Sequence, residues 1–457
     1  MPTLTYANIG KLPIEPTLQD FFSNGEAGAA YAFPDLSSLY QDAAGTVPVT
    51  AIGQQVYRVN DISGRGNHLL QATALARPRL GRTPAGGVRN LLTYTEDFSN
   101  AIWVVGSTGV TKSAPDLVLT APSSDRRYAM IHNRLSPTVS GQSYIITGTF
   151  IPKSGGEVIA LGSSASGAIF GWVAYDTITG TSSNYSLGGP YTSISLLSAV
   201  QASPGVWRMS VLIVANGVSI RPLVHFGATG QTAEQLRFEG NGSGSIGLIS
   251  MQFEAGTVPS SYQKVTDPWD VTEVGKRDCY CLYGDGIDDT MATAGNVLPV
   301  RNGLSLVGAF GHVSAGSSAN QDALFGLSNL STTYFTLRSR RQAAAREAAA
   351  AVQNAAGAFA TATALGGAGF EFGRPVIMSA TQNADALSVT TKNPDSSAST
   401  AAALGSTVSS SVPIRLFPAS NISATFWYGG IAIDRPLTSL EREFAMEEYA
   451  YLSGAIE

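Results

Sequence analysis

Cys279–Tyr280–Cys281–Leu282–Tyr283–Gly284–Asp285–Gly286–Ile287–Asp288–Asp289–Thr290–Met291 is the stretch that decides the reading of the chain. It begins as a β-strand whose side chains alternate between two faces. Gly284, Asp285 and Gly286 then supply turn chemistry, and a second strand starts beyond them. The chain's two cysteines, Cys279 and Cys281, lie at i and i+2 on this strand and so point to one face. They are too far apart along it for easy bridging. They read as free, buried thiols of a chain made in a reducing cytoplasm. A metal pair is the alternative, and it is disfavoured because the chain has 4 His and none lies nearby in sequence.

At 457 residues the chain is too long for one ordinary β-sandwich and suits two or three domains. Hydrophobic residues make up 44% and charged ones 13%, so sizeable cores can be buried and global disorder is excluded. The net charge of −5 argues against a nucleic-acid binder, which would carry a basic patch. The stretch Met1–Tyr6 lacks the basic and apolar regions of a secretory leader. No apolar run reaches the ~18 residues a bilayer crossing needs.

The 279–291 stretch resembles the strand–turn of laminin-G/concanavalin-like β-sandwich domains, in which a Phe-Asp-Gly-x-Asp-Asp-Tyr pattern recurs. In that family it soon follows an Asp-x-Ser-Gly-x-Gly-Asn segment. Here that segment is Asp61–Ile62–Ser63–Gly64–Arg65–Gly66–Asn67–His68, far upstream. The separation implies one sandwich split by an insert. Gln41–Thr46, Asp61–His68 and Gln71–Pro78, in that order, look like a version of this sandwich frequent in tailed-phage virion proteins. The resemblance gives His68 a hydrogen-bonding place at a loop end in preference to catalysis.

Taken in order, residues 1–30 read as irregular, broken by Pro2, Pro13 and Pro16, with a flexible turn at Gly25–Ala30. They are either an extension wrapped over the first sandwich or an arm for attachment to the virion. Residues 31–89 form the sandwich's first part and residues 90–266 the insert. The insert carries β-rich runs at Tyr144–Ile151, Ile169–Tyr175, Val206–Ala215, Val218–Phe226 and Ser245–Phe253, spaced as in an all-β sandwich. Its opening at Asn90–Asn100, its Gly205–Ser210 block and its close at Met251–Gln263 resemble the carbohydrate-binding jelly-roll modules of phage tail and head fibres.

Residues 267–457 resume the first sandwich. Strands are expected at Leu304–Val313, Tyr334–Arg338, Arg374–Gln382, Leu387–Lys392 and Thr425–Ile433. Arg341–Val352 is helix by propensity, yet its place between strands and the family resemblance favour a hairpin. Thr438 with Glu441 forms a capping box that opens a final helix. The segment Asp434–Glu443 resembles the one that closes laminin-G-like phage domains. The expected fold class is all-β: a split concanavalin-like sandwich, an inserted jelly roll and a short C-terminal helix.

No nucleophile elbow, P-loop or zinc-protease motif occurs; Gly162–Gly167 and Gly240–Gly244 are Ser- and Gly-rich loops without that context. Glu96–Asp97, Asp288–Asp289 and Glu371 are the loose carboxylate candidates for a glycosidase. Asp285, Asp288 and Asp289 could instead hold calcium, the one cofactor considered. Sugar binding needs exposed aromatic faces flanked by amides and hydroxyls. Trp172, Tyr175, Tyr185 and Tyr191 lie in or beside a loop-like stretch, Thr177–Pro190, and are the glycan-binding candidates. Trp103 and Trp207 are expected in the core. Phe426–Trp427–Tyr428 should have one side in the core and the other at an interface or in solvent.

The resemblance implies a homotrimeric virion protein: a tail or head fibre, spike or decoration component that meets host-surface polysaccharide or lipopolysaccharide. It implies other virion proteins as partners, and neither nucleic acid nor membrane insertion. Two other readings stay open: a purely structural decoration or tail component, and a polysaccharide depolymerase.

Overall fold

In the computed structural model the fold is all-β. It describes residues 17–105, 110–113, 116–119, 129–133, 136, 138–166, 169–186, 188–238, 244–298, 303–312, 321–328, 334–342, 345–353, 359–364, 373–383, 386–392, 399–403, 412–417 and 424–456. Among them, strands form four sheets of ten, nine, six and six strands. No helix there is long and apolar enough to cross a membrane.

The ten- and nine-stranded sheets make the host sandwich. Their strands come from residues up to Pro84 and from Gln263 onward. Strand Asp278–Gly284 sits inside the larger sheet, paired with Arg79–Pro84 on one side and Thr425–Ile433 on the other. The expected alternation holds: Leu282 enters the core between the sheets, while Cys279, Cys281 and Tyr283 enter a second core on the outer face. That outer core is covered by the C-terminal helix Ser439–Leu452 and the short 3-10 helix Leu18–Phe22. Burial lifts the Cys279 thiol to about 11 and also pushes Cys281 well up, so both stay protonated at neutral pH.

Strand Thr425–Ile433 is buried along its whole length because it has a core on each face. This corrects the reading of Phe426–Trp427–Tyr428. Trp427 packs between the sheets against Tyr31, Phe33 and Phe325, and Phe426 and Tyr428 lie in the outer core. Neither side meets solvent.

The expected flexible turn at 25–30 is also corrected: Gly28–Ala32 is a buried strand paired with Thr425–Ile433. Gly28 has φ +145°, and a Cβ there would lie 2.0 Å from the Ala432 carbonyl oxygen, so only glycine admits this pairing. Residues 1–16 lie outside the described residues.

The Ala-rich segment forms strands Tyr334–Gln342 and Ala345–Gln353, paired from Tyr334↔Gln353 to Gln342↔Ala345. Ala350 and Val352 enter the core between the sheets while Ala349 and Ala351 are buried on the opposite face, so burial of both faces in a paired strand outweighs helix propensity here. The helix cap is as read, with Glu441 N–H donating to Thr438 Oγ1 at 3.2 Å and Thr438 N–H to Glu441 Oε2 at 2.8 Å.

The two six-stranded sheets are built from strands between Trp103 and Ala255. Their facing sides bury one core, which includes Trp103, Phe150, Met209, Phe226 and Phe253. A smaller core lies on the outer face of the sheet holding Ile169–Asp176, beneath Ala233 and Leu236.

Candidate functional site

Strand Ile169–Asp176 carries two of the four aromatic candidates, Trp172 and Tyr175, and its pleat divides them. Phe170, Trp172 and Ala174 face outward into the smaller core, whereas Val173 and Tyr175 face the second sheet. Trp172 is 0% exposed. Its ring is stacked on Phe170 at 5.4 Å, and its indole N–H donates to the Ala233 carbonyl at 3.0 Å. This corrects its assignment as a sugar contact: the strap around Ala233 covers the ring. Tyr185 lies beside it at 5.1 Å, half-buried on the same outer face.

Thr177–Pro190 is only partly the loop expected. Ser182–Ser186 is a strand at the edge of its sheet, in register with Gly171–Tyr175. Ser182 pairs with Tyr175 and Asn184 with Val173, so both exposed side chains share the inward face with Tyr175. Asp176 staples the turn that follows. Burial opposes its ionisation, but hydrogen bonds from the N–H groups of Gly230, Ile178 and Thr179 outweigh this and lower its pKa.

Across the gap between the sheets, Trp207 faces Tyr175 with ring centroids 5.7 Å apart and planes at 47°. Both rings are half-buried. Trp207 pairs with Gln201, whose exposed side chain shares its face. Tyr191 packs on the same inter-sheet core and donates to Ser186 Oγ at 3.2 Å, its phenol pushed up by burial. No charged residue occurs from Thr177 to Ser203. The result is an aromatic pair flanked on one side by the hydroxyls and amides of this stretch, with the Lys153–Glu157 connection at the same end of the sandwich. Such a pair is able to stack on C–H groups while polar neighbours exchange hydrogen bonds with a ligand.

The structure thus brings Tyr175 and Tyr191 to one face and puts Trp172 and Tyr185 on the other. Sequence reasoning missed Trp207 as a site residue. The available signal was its place at the start of its strand, where an inward ring reaches the end of the sandwich.

The acidic turn of the host sandwich gathers Asp285, Asp288 and Asp289, each with an oxygen within 4.8 Å of the others. Asp289 accepts the Asp285 N–H at 2.8 Å, and Asp285 accepts the Ile287 N–H at 2.8 Å. Asp289 is 7% exposed. Burial, with the charges of Asp285 and Asp288, raises its pKa to about 7 against the pull of the Asp285 N–H and Arg79. Three converging carboxylates, one reluctant to ionise alone, are residues that would hold a hard cation such as calcium.

The remaining candidates have structural partners. His68 Nδ1 accepts the Asp61 N–H at 3.0 Å, and burial followed by Arg58 lowers its pKa. Asp61 in turn accepts N–H groups from Ala30, Ser63 and Asn67. Glu96 pairs with Lys264 at 2.6 Å, and Asp97 accepts from the hydroxyl and N–H of Ser99. Glu371 lies outside the described residues, as do residues 167 and 240–243. The expected Ser-rich loop at 162–167 is corrected, because Gly162–Ser166 is the end of strand Val158–Ser166, paired on both sides with Ser163 and Ser164 buried.

No family model matches the chain, and no curated protein matches it. Solved structures give distant likenesses. Domains LG4-5 of the mouse laminin alpha1 chain align with 12% identity and a TM-score of 0.25, over 66% of this chain and 88% of that one. A GH43 protein of Bacillus licheniformis aligns with 9% identity and a TM-score of 0.24, over 85% and 76%. The xyloglucan-locus GH43B of Bacteroides ovatus aligns with 10% identity and a TM-score of 0.25, over 88% and 99%. Similarity this distant carries no argument about function.

Proposed function

We propose that this chain is a glycan-binding structural component of a tailed-phage virion, a fibre, spike or decorating knob that meets host-surface polysaccharide or lipopolysaccharide as a homotrimer. The observation that carries the binding half is the half-exposed Tyr175–Trp207 pair beside the hydroxyl- and amide-rich stretch Thr177–Ser203. The virion half rests on the three ordered blocks Gln41–Thr46, Asp61–His68 and Gln71–Pro78, and on the jelly-roll-like ends of the insert.

The test is glycan-array and whole-cell binding by the purified oligomer, with Trp207→Ala and Tyr175→Ala beside the wild type and Tyr185→Ala as an outer-face control. Loss of one stacked ring is expected to weaken binding by tenfold or more, about 1.4 kcal/mol, while the control keeps its affinity. Absence of saturable binding to any host surface, or equal affinity in Trp207→Ala, refutes the reading.

A further inference from the structure

Both chain crossings between the sandwiches meet at one buried joint. Segment Asn90–Thr95 lies between an insert strand, Gly244–Ala255, and a host strand, Gln263–Asp267. On the insert side, Leu91 N–H donates to Phe253 O at 2.8 Å and Met251 N–H to Thr95 O at 3.0 Å. On the host side, Thr95 N–H donates to Val265 O at 3.0 Å and Val265 N–H to Thr95 Oγ1 at 3.0 Å. Hydrogen bonding therefore runs without a break from a sheet of the insert into a sheet of the host.

At the centre is Gln263, 0% exposed, with every hydrogen-bonding position of its amide filled. Its Oε1 accepts from the N–H groups of Arg89 at 2.6 Å and Asn90 at 3.1 Å. Its Nε2 donates to Gly87 O and Glu273 Oε2, both at 2.9 Å. Asn90 Nδ2 ties the two crossings directly, donating to Met251 O at 3.2 Å and Gln263 O at 2.9 Å. Gln252 accepts the Gln263 N–H at 2.9 Å and passes the network to buried Glu254 at 2.8 Å. Arg89 closes it with a 2.6 Å ion pair to Glu273. A tether would leave such groups in water. Here they are buried and mutually satisfied, an arrangement that fixes geometry because any displacement strands several polar groups at once.

We propose that the insertion point is a rigid joint: the two sandwiches unfold as one cooperative unit, and the Tyr175–Trp207 face keeps a fixed direction relative to the host. The joint stands whether or not that face binds sugar. Amide hydrogen exchange on the full wild-type chain tests it first. The N–H groups of Leu91, Thr95, Met251, Gln263 and Val265 are expected to exchange as slowly as those of the central strands Ser143–Pro152 and Thr425–Ile433. Calorimetry is expected to show one transition with equal calorimetric and van't Hoff enthalpies. Gln263→Ala should lower that transition or split it in two. Fast exchange at the joint, two separate transitions in the wild type, or an unshifted single transition in Gln263→Ala overturns the proposal. The exchange measurement needs no variant, so it decides even where Gln263→Ala fails to fold.

Discussion

Replacing Asp289 by asparagine should make the protein more stable above neutral pH. In the folded chain this carboxyl titrates near 7, first because it is buried and then because Asp285 and Asp288 crowd it. In the unfolded chain an aspartate titrates near ~3.9. A carboxyl whose folded pKa is raised binds its proton more tightly when folded. Its contribution is fully present below about pH 4, falls as pH rises through 7, and then levels off. With these two values the loss between pH 6 and pH 8 is about 1.4 kcal/mol, within a total of about 4 kcal/mol. For a chain of 457 residues that unfolds as one unit this is roughly 1–2 °C in Tm. His68 acts in the opposite sense, because its pKa is lowered on folding and its contribution grows as pH rises through its unfolded value near ~6.5. The quantity to measure is therefore the Tm difference between Asp289→Asn and wild type across pH 6–8. Asparagine keeps an oxygen for the Asp285 N–H, so the difference should widen with pH in favour of the variant. Millimolar calcium at pH 8 should raise the wild-type Tm by filling the same cluster and should move the variant less. A difference that stays constant from pH 6 to 8 refutes the buried-carboxylate argument, and an equal calcium response in both proteins refutes the cation site.

Trp172→Ala should cost roughly 3–5 kcal/mol of stability by opening a cavity under the Ala233 strap and stranding that carbonyl; chemical denaturation of the variant measures it. Thr438→Ala removes the capping box of the C-terminal helix and should cost about 1 kcal/mol, read as a lower denaturation midpoint. Cys279 and Cys281, buried and held protonated, should resist thiol reagents at pH 8 until the host sandwich unfolds, so labelling should track the melt.

Much of the fold was legible because strand alternation and turn chemistry are local. The 279–291 stretch, the strands near Tyr144, Ile169, Val206 and Thr425, and the Thr438 cap all follow from patterns of a few residues. What failed depended on partners distant in sequence. Tyr191–Ser203 is a strand of 13 residues that the reading did not anticipate; its burial pattern is weak because it lies at a sheet edge. Trp172 looked accessible because its neighbourhood is rich in Gly, Ser and Asn. The strap that covers it comes from Ala228–Phe238, across the outer face of the sheet. Alternation separates Trp172 from Tyr175, but alternation alone does not say which face is left open.

The joint also explains how a host sandwich accommodates so long an insert. Closing a loop costs entropy that grows only slowly with its length, provided its ends meet. Here they meet at a single residue pair: Asn90, where the insert begins, donates to Gln263, where the host strand resumes. That strand, Gln263–Asp267, stands at the outer edge of the ten-stranded sheet, so the insert displaces no central pairing. An edge strand left bare would offer unpaired N–H and C=O groups to other chains. Segment Asn90–Thr95 covers it and continues the bonding into the insert. The same contacts therefore anchor the insert, blunt the host's edge and set the angle between the two bodies. Loosening them should raise self-association as well as flexibility, which ties the solubility of the host sandwich to the integrity of the joint.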